Sequence, residues 1–274
     1  MSFIQRQLQT AINNMNDWES KNGFLFSPQK IVCLHFCRRR GLHPDPEFQL
    51  NGSTIPIVQE TKFLGIIFDT KLTFRSHVKH LKIKSIQALN IMKVLSNASW
   101  DKVSLMRIYR YLVHSKLDYG ASVYGSAAKS TLKILDSVHH QGLRIATGAF
   151  KTTPIPSLHV VSGEPSLEIR RHRLSFSTFY KIKSDEFHPQ HKVINLIFGS
   201  LFSVKLSFTP TFGFRIGEIL RYFEIEDFPI ISNVEGLPLW QETQLYFIDD
   251  FLHLLKLNTS NLVSQQHFFD HRQR

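Results

Sequence analysis

The chain has 274 residues, of which 42% are hydrophobic and 20% are charged, and this balance predicts a folded, soluble protein with a sizeable core. No apolar run approaches the roughly 20 residues that a membrane span requires, and the first residues lack the pattern of a signal peptide. Two cysteines are too few for a disulfide framework. We therefore expect an intracellular protein, in the nucleus or the cytoplasm, that does not enter a membrane.

Positive charge is concentrated in one part of the chain. The net charge is +11, yet residues 75–183 carry a net charge of +13, residues 1–74 carry +2 and residues 184–274 carry −4. Such a concentrated field attracts polyanions, so the charge distribution favours a nucleic-acid partner. The alternative is a basic surface that serves only solubility.

The first third of the chain mixes helical and extended patterns. Residues 3–21 repeat apolar side chains at helical spacing, and Gly23 predicts the end of that helix. Residues 31–36 are a short apolar run typical of a buried strand. The Asn51-Gly52 pair predicts the turn of a hairpin within residues 48–57. Residues 62–69 predict a further strand.

From residue 75 the pattern becomes helical. Four helices are predicted, over residues 75–95, 101–114, 128–147 and 166–183. Asp101 is expected to cap the second helix, and Gly148 to end the third. Pro154 and Pro156 predict a loop. After residue 184, prolines interrupt the pattern, although residues 243–256 are apolar and are expected to be ordered.

Basic side chains recur on one side of the first of these helices. At 100° per residue, four of them lie within about 40° of one direction. We call this set the basic stripe; it consists of Arg75, Lys79, Lys82 and Lys93. A second basic cluster on the last helix consists of Arg170, Arg171 and Arg173. Each set predicts phosphate contacts, and the alternative for each is a solvated helix face.

Five stretches, taken in order, resemble the reverse transcriptases of jockey-like non-LTR retrotransposons. The stretches are Asp17-Trp18 with Asn22-Gly23-Phe24 and Ser27-Pro28-Gln29-Lys30, then Lys62 to Asp69, Leu112 to Ala127, Gly142 to Phe150, and Gly163-Glu164-Pro165-Ser166-Leu167. Leu112 to Ala127 is the most specific of these stretches. No single tetrad identifies the family, but five matches in order and at family-like spacing are hard to obtain by chance. The resemblance covers about residues 8–184.

The resemblance implies an α+β fold that is mostly helical, with a small partial palm sheet followed by a helical thumb. Residues 1–74 would be the C-terminal part of the polymerase palm, and residues 75–184 the thumb. Residues 185–274 would be a connector for which no fold is predicted.

The resemblance also implies what the chain lacks. Family members copy RNA into DNA with two metal ions, taken to be Mg²⁺ in the intact parent enzyme, held by aspartates that precede the segment around Trp18. We therefore expect an N-terminal polymerase portion to be missing, no catalytic residue and no metal site in this chain, and no activity of the chain alone. Phe247-Ile248-Asp249-Asp250 has the letters of the catalytic motif but comes too late in the chain to serve as it.

What remains is expected to bind a primer-template or another RNA–DNA hybrid. Phe63, Leu64 and Gly65 match the primer grip, the turn that steadies the primer end, and the alternative is a core strand. Lys30 matches a lysine near the entering nucleotide, where it would be auxiliary at most, and a surface role is favoured. The alternatives for the whole chain are a stand-alone nucleic-acid-binding module without catalysis, or the non-functional relic of a decayed element.

Three other groups of residues favour structural roles. Cys33, His35 and Cys37 alternate along the chain, but this is not a usual spacing for structural zinc. His139 and His140 are predicted to be surface residues. Tyr119 and Tyr124 are predicted to be core residues rather than platforms on which bases stack.

Overall fold

The computed structural model describes residues 3–23, 26–37, 45–194 and 211–225, and within these ranges the protein is mostly helical with two small antiparallel sheets. The predicted fold class is therefore confirmed. Residues 243–256, the Phe247–Asp250 motif and much of the predicted connector lie outside the described residues. Contacts group Met1–Ile230 into one compact unit, and the domain boundaries at residues 74 and 184 stay predictions.

The elements follow one another with short connections. The helices are α1 (Phe3–Asn22), α2 (Arg75–Asn97), α3 (Lys102–Tyr109), α4 (Ser115–Asp118), α5 (Ala121–Tyr124), α6 (Lys129–Leu132), α7 (Asp136–Thr147), α8 (Ile155–Ser162), α9 (Leu167–Ser184), α10 (His191–Ile194) and α11 (Phe212–Tyr222). Short 3-10 helices span Pro28–Lys30 and Lys133–Leu135. The strands are β1 (Gln49–Leu50), β2 (Ser53–Thr54), β3 (Glu60–Phe63) and β4 (Ile66–Asp69).

Helix α1 packs against the β1–β2 hairpin. The amide of Gln9 donates to the carbonyl oxygen of Gln49 at 2.8 Å and accepts from the Gln49 backbone N–H at 3.0 Å. Asn51 (φ 52°) and Gly52 (φ 74°) both adopt left-handed backbone, as a two-residue hairpin turn requires. The predicted hairpin is confirmed, and its buried side chains, Phe48, Leu50 and Ile55, form a small core with Ile12 of α1.

Two strand predictions were wrong. In residues 31–36 the structure has only an isolated bridge, between Cys33 and Ile57. Residues 62–69 are not one strand, because β3 and β4 pair antiparallel around a turn at Leu64 and Gly65. Residues 1–74 thus hold two separate hairpins rather than one sheet among the residues described. An apolar run reveals burial but not the point at which the chain reverses.

The main core lies where α2, α3 and α7 pack together. Leu89, Tyr109 and Leu143 are fully buried there. Gly142 permits the close approach, because a Cβ at this position would lie 2.3 Å from Cε2 of Tyr109 and 3.1 Å from Cδ2 of Leu89. The glycine thus sets how closely α7 approaches both neighbours.

The helix predictions are confirmed except at their ends, in one loop, and over residues 128–147, where the 3-10 helix Lys133–Leu135 separates α6 from α7. Asp101 caps α3 by accepting from the Ser104 N–H at 3.0 Å, and Gly148 (φ 71°) follows α7. The second helix is longer than predicted, because a π-helical turn over Arg110–His114 joins α3 to α4. The prediction of a loop at Pro154 and Pro156 was wrong, because α8 begins at Ile155. A proline in the first turn of a helix removes an N–H that has no intrahelical partner.

The C-terminal half of α9 forms a second apolar cluster with α10 and α11. Phe179, Ile182, Ile194 and Ile216 are its buried members. No helix in the described ranges is both long enough and apolar enough to cross a membrane.

Candidate nucleic-acid interface

The tip of the β3–β4 hairpin projects apolar side chains into solvent. Phe63 is 62% exposed and Leu64 is 72% exposed. Leu64 (φ 45°) and Gly65 (φ 81°) form the reversing turn. We call Phe63, Leu64 and Gly65 the grip turn. Its exposure does not fit the core strand that was the alternative for these residues, and it leaves two side chains free to contact a ligand.

Tyr119 holds the grip turn from the helical side. Its hydroxyl donates to the carbonyl oxygen of Leu64 at 2.7 Å. Its ring covers Gly65, where a Cβ would lie 3.0 Å from Cε1 of the tyrosine. Tyr119 is nevertheless 57% exposed, so its predicted core position was wrong. Tyr124 is buried as predicted, and its hydroxyl donates to the carbonyl oxygen of Leu117.

The base of the same hairpin is tied to the start of α2. The Ser76 hydroxyl donates to the Glu60 carboxylate at 2.5 Å, and the Ile67 N–H donates to Nδ1 of His77 at 3.3 Å. Burial lowers the pKa of His77 to about 4, with smaller contributions from His80 and Lys62, so the ring is neutral at pH 7 and can accept. The hairpin and the first turns of α2 therefore form one connected unit.

The connection between β4 and α2 is capped by Asp69. Its carboxylate accepts from the N–H of Phe74 at 2.7 Å, from that of Thr73 at 3.0 Å and from that of Lys71 at 3.1 Å. These bonds satisfy N–H groups ahead of the helix that would otherwise need water.

The basic stripe runs along α2 away from this junction. Arg75, Lys79 and Lys93 are exposed and Lys82 is half-buried. None of the four forms an ion pair within the described part of the chain. Arg75 and Lys93 are 18 residues apart, so the stripe is about 27 Å long. Exposed aliphatic side chains, which the sequence did not single out, lie on the same helix: Ile83, Ile91 and Val94.

The second basic cluster is not a uniform patch. Arg170 holds Asp118 with two parallel hydrogen bonds, Nε to Oδ1 at 2.7 Å and Nη2 to Oδ2 at 2.6 Å. Arg171 is half-buried, and Arg173 is exposed. The guanidinium of Arg170 is thus engaged inside the protein, whereas Arg173 faces solvent.

Several known proteins resemble this chain. The RNA-directed DNA polymerase from mobile element jockey of Drosophila melanogaster is 31% identical over 150 residues, which are 52% of this chain and 16% of that protein. The jockey polymerase of Drosophila funebris is 30% identical over 145 residues, again 52% of this chain and 16% of that protein. A Pol polyprotein from the type-1 retrotransposable element R1 4 of Nasonia vitripennis is 24% identical over 152 residues, which are 55% of this chain and 38% of that protein.

The chain's homologues are non-LTR retrotransposon RNA-directed DNA polymerases. The matched region covers about a sixth of the length of each jockey relative, 16% in both cases. No protein-family model matches the chain, and no solved structure shows significant similarity to it.

Three of the retrotransposon-like signatures, which are far apart in sequence, approach one another: the Tyr119 hydroxyl donates to the carbonyl oxygen of Leu64, and Nδ1 of His114 lies 3.7 Å from the Glu164 carboxylate. Glu164 is buried, and its carboxylate accepts from Nε of Arg110 at 2.5 Å. Arg170 joins Asp118 of another signature to α9. These contacts lie around the segment that carries Tyr119.

The sequence did not predict a group of histidines beside Glu164, two of which are fully buried. His114 and His139 stack with ring centroids 5.5 Å apart, and His139 and His159 stack at 5.4 Å. His139 is fully buried, so its predicted surface position was wrong; His140 is half-buried. His114 lies within a retrotransposon-like signature, but nothing local in the sequence points to His139 or His159. We call His114, His139, His140 and His159 the histidine cluster.

Two members of the histidine cluster, His114 and His139, are held in neutral form. Nδ1 of His139 shares a 2.5 Å hydrogen bond with the Tyr109 hydroxyl, and both ring nitrogens of His114 lack a hydrogen-bond partner among the described residues. Nδ1 of His114 lies 3.7 Å from the Glu164 carboxylate, too far for a hydrogen bond. Burial lowers the pKa of each ring to about 3, assisted at His114 by Arg170 and Arg110 and at His139 by the other histidines.

Lys30 and the cysteines lie away from the grip turn in sequence and are not assembled into a site. Lys30 is exposed at the end of a 3-10 turn. Cys33 and Cys37 are free thiols, and His35 pairs instead with Asp45, Nδ1 to Oδ1 at 3.1 Å. Within the described ranges no three ligating side chains converge on a position for a metal ion.

Proposed function

We propose that this chain binds the primer-template of a retrotransposon reverse transcriptase. The basic stripe on α2 would follow the phosphates of an RNA–DNA hybrid, and the grip turn would contact the primer end. The observation that carries this proposal is the pair of hydrogen bonds that join Ser76 and His77 to the β3–β4 hairpin, because they fix the stripe and the turn to one another. A protein that reads a hybrid by its shape needs such a fixed spacing.

The electrostatics support the same proposal. The stripe's cations have no ion-pair partner in the described part of the chain, so their charge is available to phosphates. Each phosphate contact releases counterions from the nucleic acid, which makes binding weaken as salt rises. The exposed aliphatic side chains of α2 add apolar surface beside the sugars of a bound strand.

We further propose that the chain by itself does not catalyse polymerisation. The family's metal-binding aspartates precede the segment around Trp18, and the only acid before Trp18 is Asp17. The carboxylate of Asp69, at the end of β4, accepts hydrogen bonds from backbone N–H groups. The Mg²⁺ ions of the intact parent enzyme do not fit the described residues, which provide no ligand set for them.

The test is binding of the purified chain to an RNA–DNA hybrid across a salt series. We expect the logarithm of affinity to fall linearly with the logarithm of salt concentration. Replacing Arg75, Lys79 and Lys82 together by glutamine should flatten that slope by about 2 to 3 units, since each phosphate contact contributes a little under one.

The matched control replaces three exposed lysines outside the stripe, Lys129, Lys133 and Lys151, by glutamine. Both triple variants lose the same charge, so equal slopes in the two would show that net charge rather than the stripe determines binding. No binding by the folded wild type at low salt would refute the proposal itself.

A further inference from the structure

The chain on both sides of Tyr119 is held in place by contacts with other elements. Leu117 is buried, and Asp118 is held at both carboxylate oxygens by Arg170. On the other side, Gly120 has left-handed backbone (φ 69°), and a Cβ there would lie 2.6 Å from Cδ1 of Ile66. A Cβ at this position would displace the end of the Ile66 side chain and would be strained at this φ, so the position favours glycine. The position of the Tyr119 side chain is therefore determined by its neighbours in the chain.

The two contacts of Tyr119 with the grip turn differ in kind. The hydrogen bond to Leu64 fixes a main-chain carbonyl, and the ring packs on the Cα side of Gly65. Both hold the backbone of the turn, while the side chains of Phe63 and Leu64 stay exposed. A buried tyrosine such as Tyr124 stabilises a core; Tyr119 stabilises a surface turn that has no core of its own.

We propose that Tyr119 is a positioning residue for the recessed 3′ end of an RNA–DNA hybrid. It holds the backbone of the grip turn in one position, so that the side chains of Phe63 and Leu64 contact the terminal nucleotide in one orientation. The inference rests on the proposed function of the grip turn. It predicts that Tyr119 affects recognition of a strand end and leaves unchanged the phosphate contacts of the basic stripe, which lies on a different element.

The physical basis is pre-organisation. A two-residue turn at the tip of a hairpin whose strands have four residues each has few contacts of its own, so without Tyr119 it samples more conformations. Binding a strand end then has to order the turn, which weakens that binding alone. Loss of one hydrogen bond of this type corresponds to roughly a three- to tenfold loss of affinity.

The experiment compares two hybrids of equal length, one with a recessed 3′ end and one with both ends closed by loops. Tyr119→Phe removes the hydroxyl and keeps the ring over Gly65. Tyr111→Phe, at an exposed tyrosine in the π-helical turn, is the matched control. We expect wild type and Tyr111→Phe to prefer the recessed end. Tyr119→Phe should lose that preference by roughly three- to tenfold and keep its affinity for the closed hybrid.

Hydrogen exchange of the backbone amides of residues 64–67, measured without nucleic acid, provides a second readout. Tyr119→Phe should speed exchange there and leave the exchange of α2 unchanged. Unchanged exchange, or an unchanged end preference, overturns the inference. A wild type that binds both hybrids equally also overturns it, yet leaves phosphate binding intact. A wild type that binds neither hybrid refutes the proposed function, and the inference falls with it.

Discussion

Arg170 and Asp118 form a two-pronged ion pair that joins the start of α9 to the end of α4, with Nε–Oδ1 and Nη2–Oδ2 distances of 2.7 and 2.6 Å. The sequence alone assigns Arg170 to a basic cluster for phosphate contacts. In the folded chain its planar guanidinium matches a carboxylate instead, a geometry that lysine cannot reproduce. The pair fixes the residue that precedes Tyr119, and so connects α9 to the grip turn.

Arg170→Ala should lower the free energy of unfolding by about 1–3 kcal/mol, because it leaves a mostly buried carboxylate without its partner. Arg170→Lys should recover only part of this loss. Urea unfolding monitored by circular dichroism provides the measurement. Arg173→Ala, at an exposed position on the same helix, is the control and should change stability by less than about 0.5 kcal/mol. If Arg170→Ala kept full stability but lost hybrid binding, Arg170 would be a phosphate contact after all.

Gly142→Ala should destabilise the main core. The added methyl group would lie 2.3 Å from a ring carbon of Tyr109, so α7 must move or the ring must leave its rotamer. Overpacking of this kind costs about 1–3 kcal/mol. Gly217→Ala on α11 is the opposite case, since nothing lies within 4 Å of the new atom. That change should stabilise by about 0.5–1 kcal/mol. Thermal unfolding of both variants tests the pair, and equal midpoints would contradict the helix packing described for Gly142.

Sequence patterns identified the features that depend on local chemistry. Apolar spacing predicted α1, α2 and α9, and short-range rules predicted the Asn51-Gly52 turn and the Asp101 cap. Each depends on residues within a few positions of one another, so no tertiary information was needed.

The features that the sequence did not predict depend on contacts between residues far apart in the chain. Leu64 reverses the chain where an apolar run predicted one strand, and Tyr119, more than 50 residues later, packs against that turn. His139 is buried because His114 and His159 surround it, and adjacent histidines alone give no sign of this. Likewise, the basic stripe could be predicted from helical spacing, but the engagement of Arg170 with Asp118 required the fold.

Asp69→Ala should uncouple the hairpin from α2. The carboxylate accepts from the N–H groups of Thr73 and Phe74, and its loss leaves them without a protein acceptor. We expect a loss of stability of about 1–2 kcal/mol, as for a lost helix cap, together with weaker binding to a recessed-end hybrid. Glu186→Ala, which removes the same charge from an exposed site, is the control. Equal effects of the two variants on hybrid binding would show that charge, rather than this cap, determines the outcome.

His114 and His139 should make the protein less stable as pH falls below neutrality. The pKa of His114 and that of His139 are about 3 when folded and ordinarily 6.5, so between these values the unfolded chain binds protons that the folded chain does not. Stability is therefore complete above pH 6.5 and falls as pH decreases toward 3, on the order of 1 kcal/mol per pH unit for each histidine. His114→Phe removes one of these groups while Glu164, Arg110 and Arg170 remain around it. Urea midpoints measured from pH 7.5 to 5.0 should accordingly fall less steeply in the variant, and parallel pH profiles would show that His114 is not a source of the acid sensitivity.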